Sequence, residues 1–293
     1  MINHPLASID AWLRYFAASS LPTLAYSQQQ LDTLRQNEAL ANLQQLARVI
    51  KHDALLALKT LRYLQNHRSS HQLNDVTTID RVILMVGVQP LLDDFANSPS
   101  IEAQSAEYPA GISLARSLLQ RAHLAAICAD AIAAQRHDVD GSEVMTAALL
   151  RDIAEILIAC YAPKLTLRVR AMQQRDRSIR SQVAQRVVFG FPYLDLQLAL
   201  IEQWRLPPIL KMLMDEGHAE HPRVRTVSHA VAFARHWSNG ADDAALPDDY
   251  ANIADLVSID PEEAVQLCAA AVSKAGKAAS WFAGPATEPA SGA

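Results

Sequence analysis

The sequence predicts an all-α protein. Three observations carry that expectation. Apolar residues recur at helical spacing nearly everywhere, no segment alternates apolar and polar residues as a half-buried strand would, and several periodic runs open on a capping residue.

In chain order, Leu43, Leu46 and Ile50 begin one apolar stripe, and Leu55, Leu58, Leu61 and Leu64 make a second. The run "TTIDRVILMVGV" opens on a Thr78 cap and stops at Gly87, and a short helix, "PLLDDFAN", follows. Residues 97–110, "NSPSIEAQSAEYPA", are polar and contain proline, so they read as a loop. A long helix is expected from about Gly111 to Gln135. The next starts at Asp140, with Glu143 as its capping-box partner, and runs through "VMTAALLRDIAEILIAC" to end before Pro163. Further helices are expected near 164–174, 178–189, 193–204, 207–216 and 222–237. The final helix of the chain has the clearest start: Asp260 caps it, Pro261 occupies the first turn and Glu263 closes the box.

These elements group into a helix over residues 1–20, a main helical unit over 21–240 and a C-terminal helical extension over 241–284. The main unit divides into subdomains of about 21–97 and 111–240 that share one core, because the first alone would be a thin helical layer. The small-residue tail at 285–293 is expected to be disordered, and no internal repeat is visible.

The 293 residues suffice for one large domain or two modest ones, and half are hydrophobic, so a sizeable core can form. A net charge of −5 lacks the global positive excess of a nucleic-acid binder. Cys128, Cys160 and Cys268 are odd in number, lack CxxC spacing and sit in apolar helical context, as buried free thiols in a reducing compartment do. The start "MINHPLASIDAWLRYF" has no basic n-region or long apolar h-region, and no run approaches the ~18 apolar residues of a membrane span. A cytoplasmic protein without a membrane partner is expected. No two of the nine glycines lie closer than eight residues, which excludes GxGxxG, GxxxxGK and GxSxG; HExxH is absent too.

Against this plain background "LLRDIAE" stands out, because Arg151 and Asp152 interrupt a run from Val144 to Cys160 that is apolar on almost all sides. At helical spacing Asp152 shares a face with Met145, Ala148, Leu149, Ile156 and Ala159, so its carboxylate is expected in packing and needs a cation or several hydrogen bonds. Arg151 stands four residues before Glu155, where a weak surface pair can form. From these residues alone a structural ion-pair cluster and a working site both remain open.

Several stretches together resemble a known family. "ALLRDIAEILIACYAP" looks like the signature helix of HD-superfamily proteins, which reads Gly-Leu-Leu-His-Asp-Ile-Gly-Lys. The chain resembles more specifically the HDOD domain, a bacterial signalling relative of the HD phosphohydrolases. "SLPTLAYSQQQLDTLRQNEALANLQQLARVIKHDALLALKTLRYLQN" resembles its opening and "VTTIDRVILMVGVQPLL" its next segment. "RAHLAAICADAIA" resembles the helix with the first HD histidine, and "FGFPYLDLQLALIEQWRLPPIL" the later Phe-Gly-x-x-His and Glu-x-Trp-x-Leu-Pro stretch. The resemblance covers roughly residues 20–237; each motif is loose, and their order is the specific part.

The resemblance implies a degenerate site. HD hydrolases hold a metal with histidines and aspartates and use it to activate water against a phosphate ester. Carried over, the first histidine matches His123 and the aspartate of the His–Asp pair matches Asp152, both retained. The histidine of that pair falls on Arg151, the Phe-Gly-x-x-His histidine on Tyr193 and the final aspartate near Arg235. His218 or His221 stands near the place of a further histidine. Arginine cannot ligate, and one histidine with one carboxylate is too few ligands, so no metal, cofactor or catalytic residue is expected. A guanidinium from Arg151 or Arg235 is expected in place of the ion. Arg235 is the better placed, because Arg151 and Asp152 point different ways around a helix.

Other features weigh less. Residues 164–186 carry seven basic residues and one acidic one; Arg168, Arg170, Arg175, Arg177 and Arg180 would form either a basic docking face or a solvated helix surface. Few aromatics interleave them, which argues against nucleic acid. His67 and His71 lack a further ligand nearby, His218 and His221 flank a turn, and His229 and His236 could line the old cavity or simply pack. Trp204 is expected to pack at a helix end before the Pro207-Pro208 break.

The function implied is non-enzymatic bacterial signal transduction through a protein partner, with a nucleotide or small ligand in the former cavity as a further candidate. The alternatives are a divergent metal-dependent phosphohydrolase and a nucleotide receptor that uses arginines where the metal was.

Overall fold

A computed structural model describes residues 1–37, 39–67, 76–176 and 178–283. Among the described residues eighteen α-helices follow one another, and the only extended pairing is an isolated parallel bridge between Thr23 and Ser100. The first block holds α1 (Ile9–Ala18), α2 (Ala25–Gln36), α3 (Leu43–His52), α4 (Ala54–Asn66), α5 (Ile79–Val86) and α6 (Val88–Phe95). A short α7 (Ile101–Gln104) leads to the longest helix, α8 (Pro109–Ala133). Then come α9 (Gly141–Leu150), α10 (Ile153–Tyr161), α11 (Pro163–Arg175), α12 (Ser181–Phe189), α13 (Tyr193–Gln203), α14 (Pro208–Met214) and α15 (Pro222–Trp237). The chain closes with α16 (Leu246–Val257), α17 (Pro261–Gly276) and α18 (Ala279–Ala283).

The caps form as their residue types dictate. Asp140 accepts hydrogen bonds from the backbone N–H groups of Ser142 and Glu143, but Glu143 does not reach back. Its carboxylate turns instead to Arg223 on α15, at 3.0 Å, so only half of the expected capping box exists. The box at Asp260 and Glu263 is complete. Gly87 ends α5 at φ 93°, a left-handed conformation that glycine adopts without strain.

Two boundaries need correction. Residues 97–110 are not all loop, because α7 forms within them and does structural work: its Glu102 pairs with Arg116 of α8 and accepts from the Ala25 N–H at 2.9 Å. The run from Val144 to Cys160 is not one helix either, since α9 ends at Leu150 and α10 begins at Ile153.

At the centre lies α8, packed against α9, α10, α11, α15 and α17. Alanines along α8, such as Ala115, Ala125 and Ala129, are buried, and small side chains let neighbouring helices approach closely. The outer segments join this core rather than standing apart. Trp12 and Phe16 of α1 bury against each other and Phe189, and Tyr161 donates to Ser20 O at 2.6 Å. α16 packs beside α15, α17 beside α8, and the two pack on each other. Asp53, fully buried, caps α4 and also accepts from Leu24 N–H at 2.9 Å, fixing the start of α2 to the start of α4. The three cysteines are buried free thiols. No helix among the described residues is long and apolar enough to cross a membrane. The expected tail at 285–293 lies outside the described residues.

Candidate functional site

The break between α9 and α10 puts Arg151 and Asp152 in a turn. A distant side chain secures it: buried Gln197 of α13 donates Nε2–H to Leu150 O and accepts from Ala154 N–H, both at 2.9 Å. One amide thus satisfies an orphan carbonyl at one helix end and an orphan N–H at the other. Asp152 occupies the N-cap position of α10 without capping it, so its carboxylate is free to face α8.

There it meets Arg121. The Nη2 of Arg121 lies 2.6 Å from Asp152 Oδ2 and 2.6 Å from Glu155 Oε2. The three side chains are 9%, 14% and 18% exposed, so the bridge is largely withdrawn from water. Arg235 of α15 approaches the other Asp152 oxygen at 3.6 Å and is 44% exposed. Burial alone would raise the Asp152 pKa, but the charge of Arg121, then of Arg235 and Arg151, overrides it and brings the group to about 2. Burial opposes the charge on Arg121, and the two carboxylates more than offset that, holding its proton tighter than usual.

Around Glu155 the cluster widens to Arg170 and Tyr193. Burial, then the nearby carboxylate of Glu155, pushes the Tyr193 phenol up, so it stays neutral. Its hydroxyl and that of Thr166 are neighbours in the interior, yet neither makes a well-formed hydrogen bond, and Arg121 Nε is also left without an acceptor.

The expectations fare unequally. Asp152, Arg151, Arg235 and Tyr193 do gather at one place. His123 does not. It lies two residues beyond Arg121, about 200° around the helix, with its ring against His52 at 4.6 Å. The principal partner of Asp152 is Arg121, neither of the two arginines expected. Glu155, expected beside Arg151, is bridged by Arg121. Arg170 belongs to the cluster rather than to an outer basic face; Arg168, Arg175 and Arg180 are exposed, and Arg177 and His71 lie outside the described residues. His221 caps α15, His218 lies 3.7 Å from Asp215, and His236 binds Asp249 of α16 at 2.6 Å. His229 is half-buried on α15. Trp204 packs under the Arg62 guanidinium at 4.4 Å.

The residues do not fit a divalent cation. Asp152 has an arginine at each oxygen, and a cation placed there would meet two guanidinium charges. Among the described residues no three His, Cys, Asp or Glu side chains gather in a way that could hold an ion.

The family model described as the HDOD domain matches residues 21–220. The chain belongs to the HDOD domain family. The match spans the first block from α2 onward and the helices that build the charge cluster up to the turn before α15, so α1 and Arg235 fall outside it. No curated protein matches the chain. Among solved structures it is similar to the MmoQ response regulator of Methylococcus capsulatus str. Bath, with 19% identity and a TM-score of 0.63, over 86% of this chain and 99% of that one. It is also similar to a virulence factor of Campylobacter jejuni subsp. jejuni, with 15% identity and a TM-score of 0.62, over 86% and 90%. At such identities the likeness is one of fold. Within this HDOD fold, Arg121 and Gln197 are the residues that sequence reasoning passed over. Arg121 had one usable signal: it is the one basic residue within "SLLQRAHLAAIC", so a buried aspartate elsewhere had a buried cation available.

Proposed function

We propose that this HDOD chain is a non-catalytic regulatory protein of signal transduction, acting by binding another protein. The observation that carries the reading is the Arg121 guanidinium bridging Asp152 and Glu155. A carboxylate held by one short, buried charge-assisted hydrogen bond and a second guanidinium nearby is a poor metal ligand and a poor base, because its pKa of about 2 leaves it little affinity for a proton at neutral pH. The cluster serves instead as a rigid polar joint among α8, α10 and α15, and the binding function falls to the helical exterior.

The test is a hydrolysis assay on phosphomonoesters and phosphodiesters with manganese, iron or magnesium added. The expected rate is the uncatalysed background. Metal-dependent turnover that disappears in Asp152→Asn would overturn the reading in favour of a divergent phosphohydrolase.

A second reading is favoured by charge count. Arg121, Arg151, Arg170 and Arg235 surround two carboxylates, an excess that suits a phosphate-bearing ligand such as a nucleotide. A nucleotide at 100 times its dissociation constant would then stabilise the protein by about 2.7 kcal/mol, and no thermal shift across a nucleotide panel would exclude it.

A further inference from the structure

The last described helix, α18, lies across the seam between the two blocks. Its Trp281 ring stacks on His52 of α3 at 4.3 Å and 15°, and His52 stacks in turn on His123 of α8 at 4.6 Å and 25°. Tyr26 of α2 meets Trp281 edge-on at 4.9 Å, and Trp281 Nε1–H donates to buried Ser27 Oγ at 3.0 Å. Phe282 lies 5.7 Å from His123. Five residues cannot hold a helix by themselves, so α18 depends on these contacts. Only Lys277 and Ala278 separate it from α17.

Two stacked imidazoles at the centre of such a contact are acceptable only while at least one is neutral. His52 Nδ1–H donates to Arg48 O at 2.6 Å, which leaves its other ring nitrogen to take a proton. We propose that α18 is an acid-released strap: protonation of the His52–His123 stack drives Trp281 and Phe282 off the seam between α2, α3 and α8.

The groups around the stack favour this. The charged groups acting on the rings are cations, Arg48 of α3 on His52 and Lys274 of α17 on His123. Lys51, next to His52, is paired with Asp80 of α5, and Lys274 with Asp130 of α8, so those carboxylates are engaged. From α2 the facing group is the Tyr26 ring, and α18 brings its two aromatic rings. A first proton on His52 gains a cation–π contact with Trp281, so release follows protonation of His123. Burial, then the charges of His52 and Lys274, lower the His123 pKa to about 4 against 6.5 for a free side chain, the carbonyl of Lys51 opposing. If lifting α18 restores the free value, the lifted state gains up to about 30-fold between pH 7.5 and pH 5.

The experiment uses the full chain labelled with 5-fluorotryptophan and followed by fluorine NMR from pH 7.5 to 5. The chain has four tryptophans, and Trp281→Phe assigns the resonance of interest. The expected result is a shift of the Trp281 resonance alone toward its solvent-exposed position, with an exposed population that grows up to about 30-fold. In His52→Phe/His123→Phe the shift should vanish, since the rings remain and the titration is gone. A Trp281 resonance that holds still, moves together with those of Trp12 and Trp204, or moves equally in the double variant would overturn the proposal. The wild-type titration decides the matter even if the double variant does not fold.

Discussion

Replacing Arg121 by methionine removes a charge while keeping most of the side-chain volume. Two carboxylates, Asp152 and Glu155, then remain in a largely buried place with their shared partner gone. Breaking a buried pair in this way costs about 3–5 kcal/mol, a large part of the stability of an ordinary domain. The structure supplies a second scale. Asp152 is held at about 2 against 3.8 for an unfolded side chain. That difference corresponds to native-state stabilisation on the order of 2 kcal/mol at neutral pH. A depressed carboxylate pKa gives stability that is present above the unfolded value and lost as pH falls through the folded one. In Arg121→Met the main counter-charge of Asp152 is gone while its burial remains, so the protonated form is favoured and acid relieves the variant. The deficit of the variant should therefore be about 3–5 kcal/mol at pH 7 and shrink markedly by pH 4. Urea unfolding followed by far-UV circular dichroism at both pH values measures it. A deficit under about 1 kcal/mol at pH 7, or one that does not change with pH, would refute the claim that Arg121 acts through charge.

Other substitutions probe the supports. Gln197→Ala strands Leu150 O and Ala154 N–H at the helix break and should cost about 1–3 kcal/mol; unchanged urea unfolding would mean that the break holds without it. Tyr193→Phe removes a hydroxyl that lacks a good partner and should change stability by less than about 0.5 kcal/mol; a larger loss would show that the hydroxyl is engaged in solution. Gly87→Ala keeps adequate space, since the new methyl would meet only Pro90 at 3.5 Å, but it places a side chain at φ 93° and should cost about 1 kcal/mol in the same assay.

What could be read from the sequence was local in origin. The periodic stripes of α3 and α4, the stop at Gly87 and the box at Asp260 depend on neighbours a few residues apart, and these elements formed nearly where expected. The break at Arg151 and Asp152 depends on Gln197, more than forty residues away, inside a run of good helix formers that carries no stop signal of its own. The site failed in a similar way. On α8 alanines lie on several sides, so the pattern does not say which face meets Asp152. His123, carried over from the family resemblance, lies on the far side of α8 from Arg121. Asp152 was expected to need a guanidinium from Arg151 or Arg235, because that need follows from burying a charge; its main partner is Arg121, which packing brings to it. The strap was invisible for a related reason: five residues give no period, and Trp281 finds its partners on α2 and α3.

Asp152 takes its counter-charge from guanidinium groups. Elemental analysis of the purified, untagged protein, before and after loading with manganese, iron and zinc, checks whether a metal ion competes for it. Far less than one ion per chain is expected in every sample, because Asp152 is engaged by Arg121 and Arg235. Near-stoichiometric metal that falls away in Asp152→Asn would overturn this and support the metal-dependent phosphohydrolase reading.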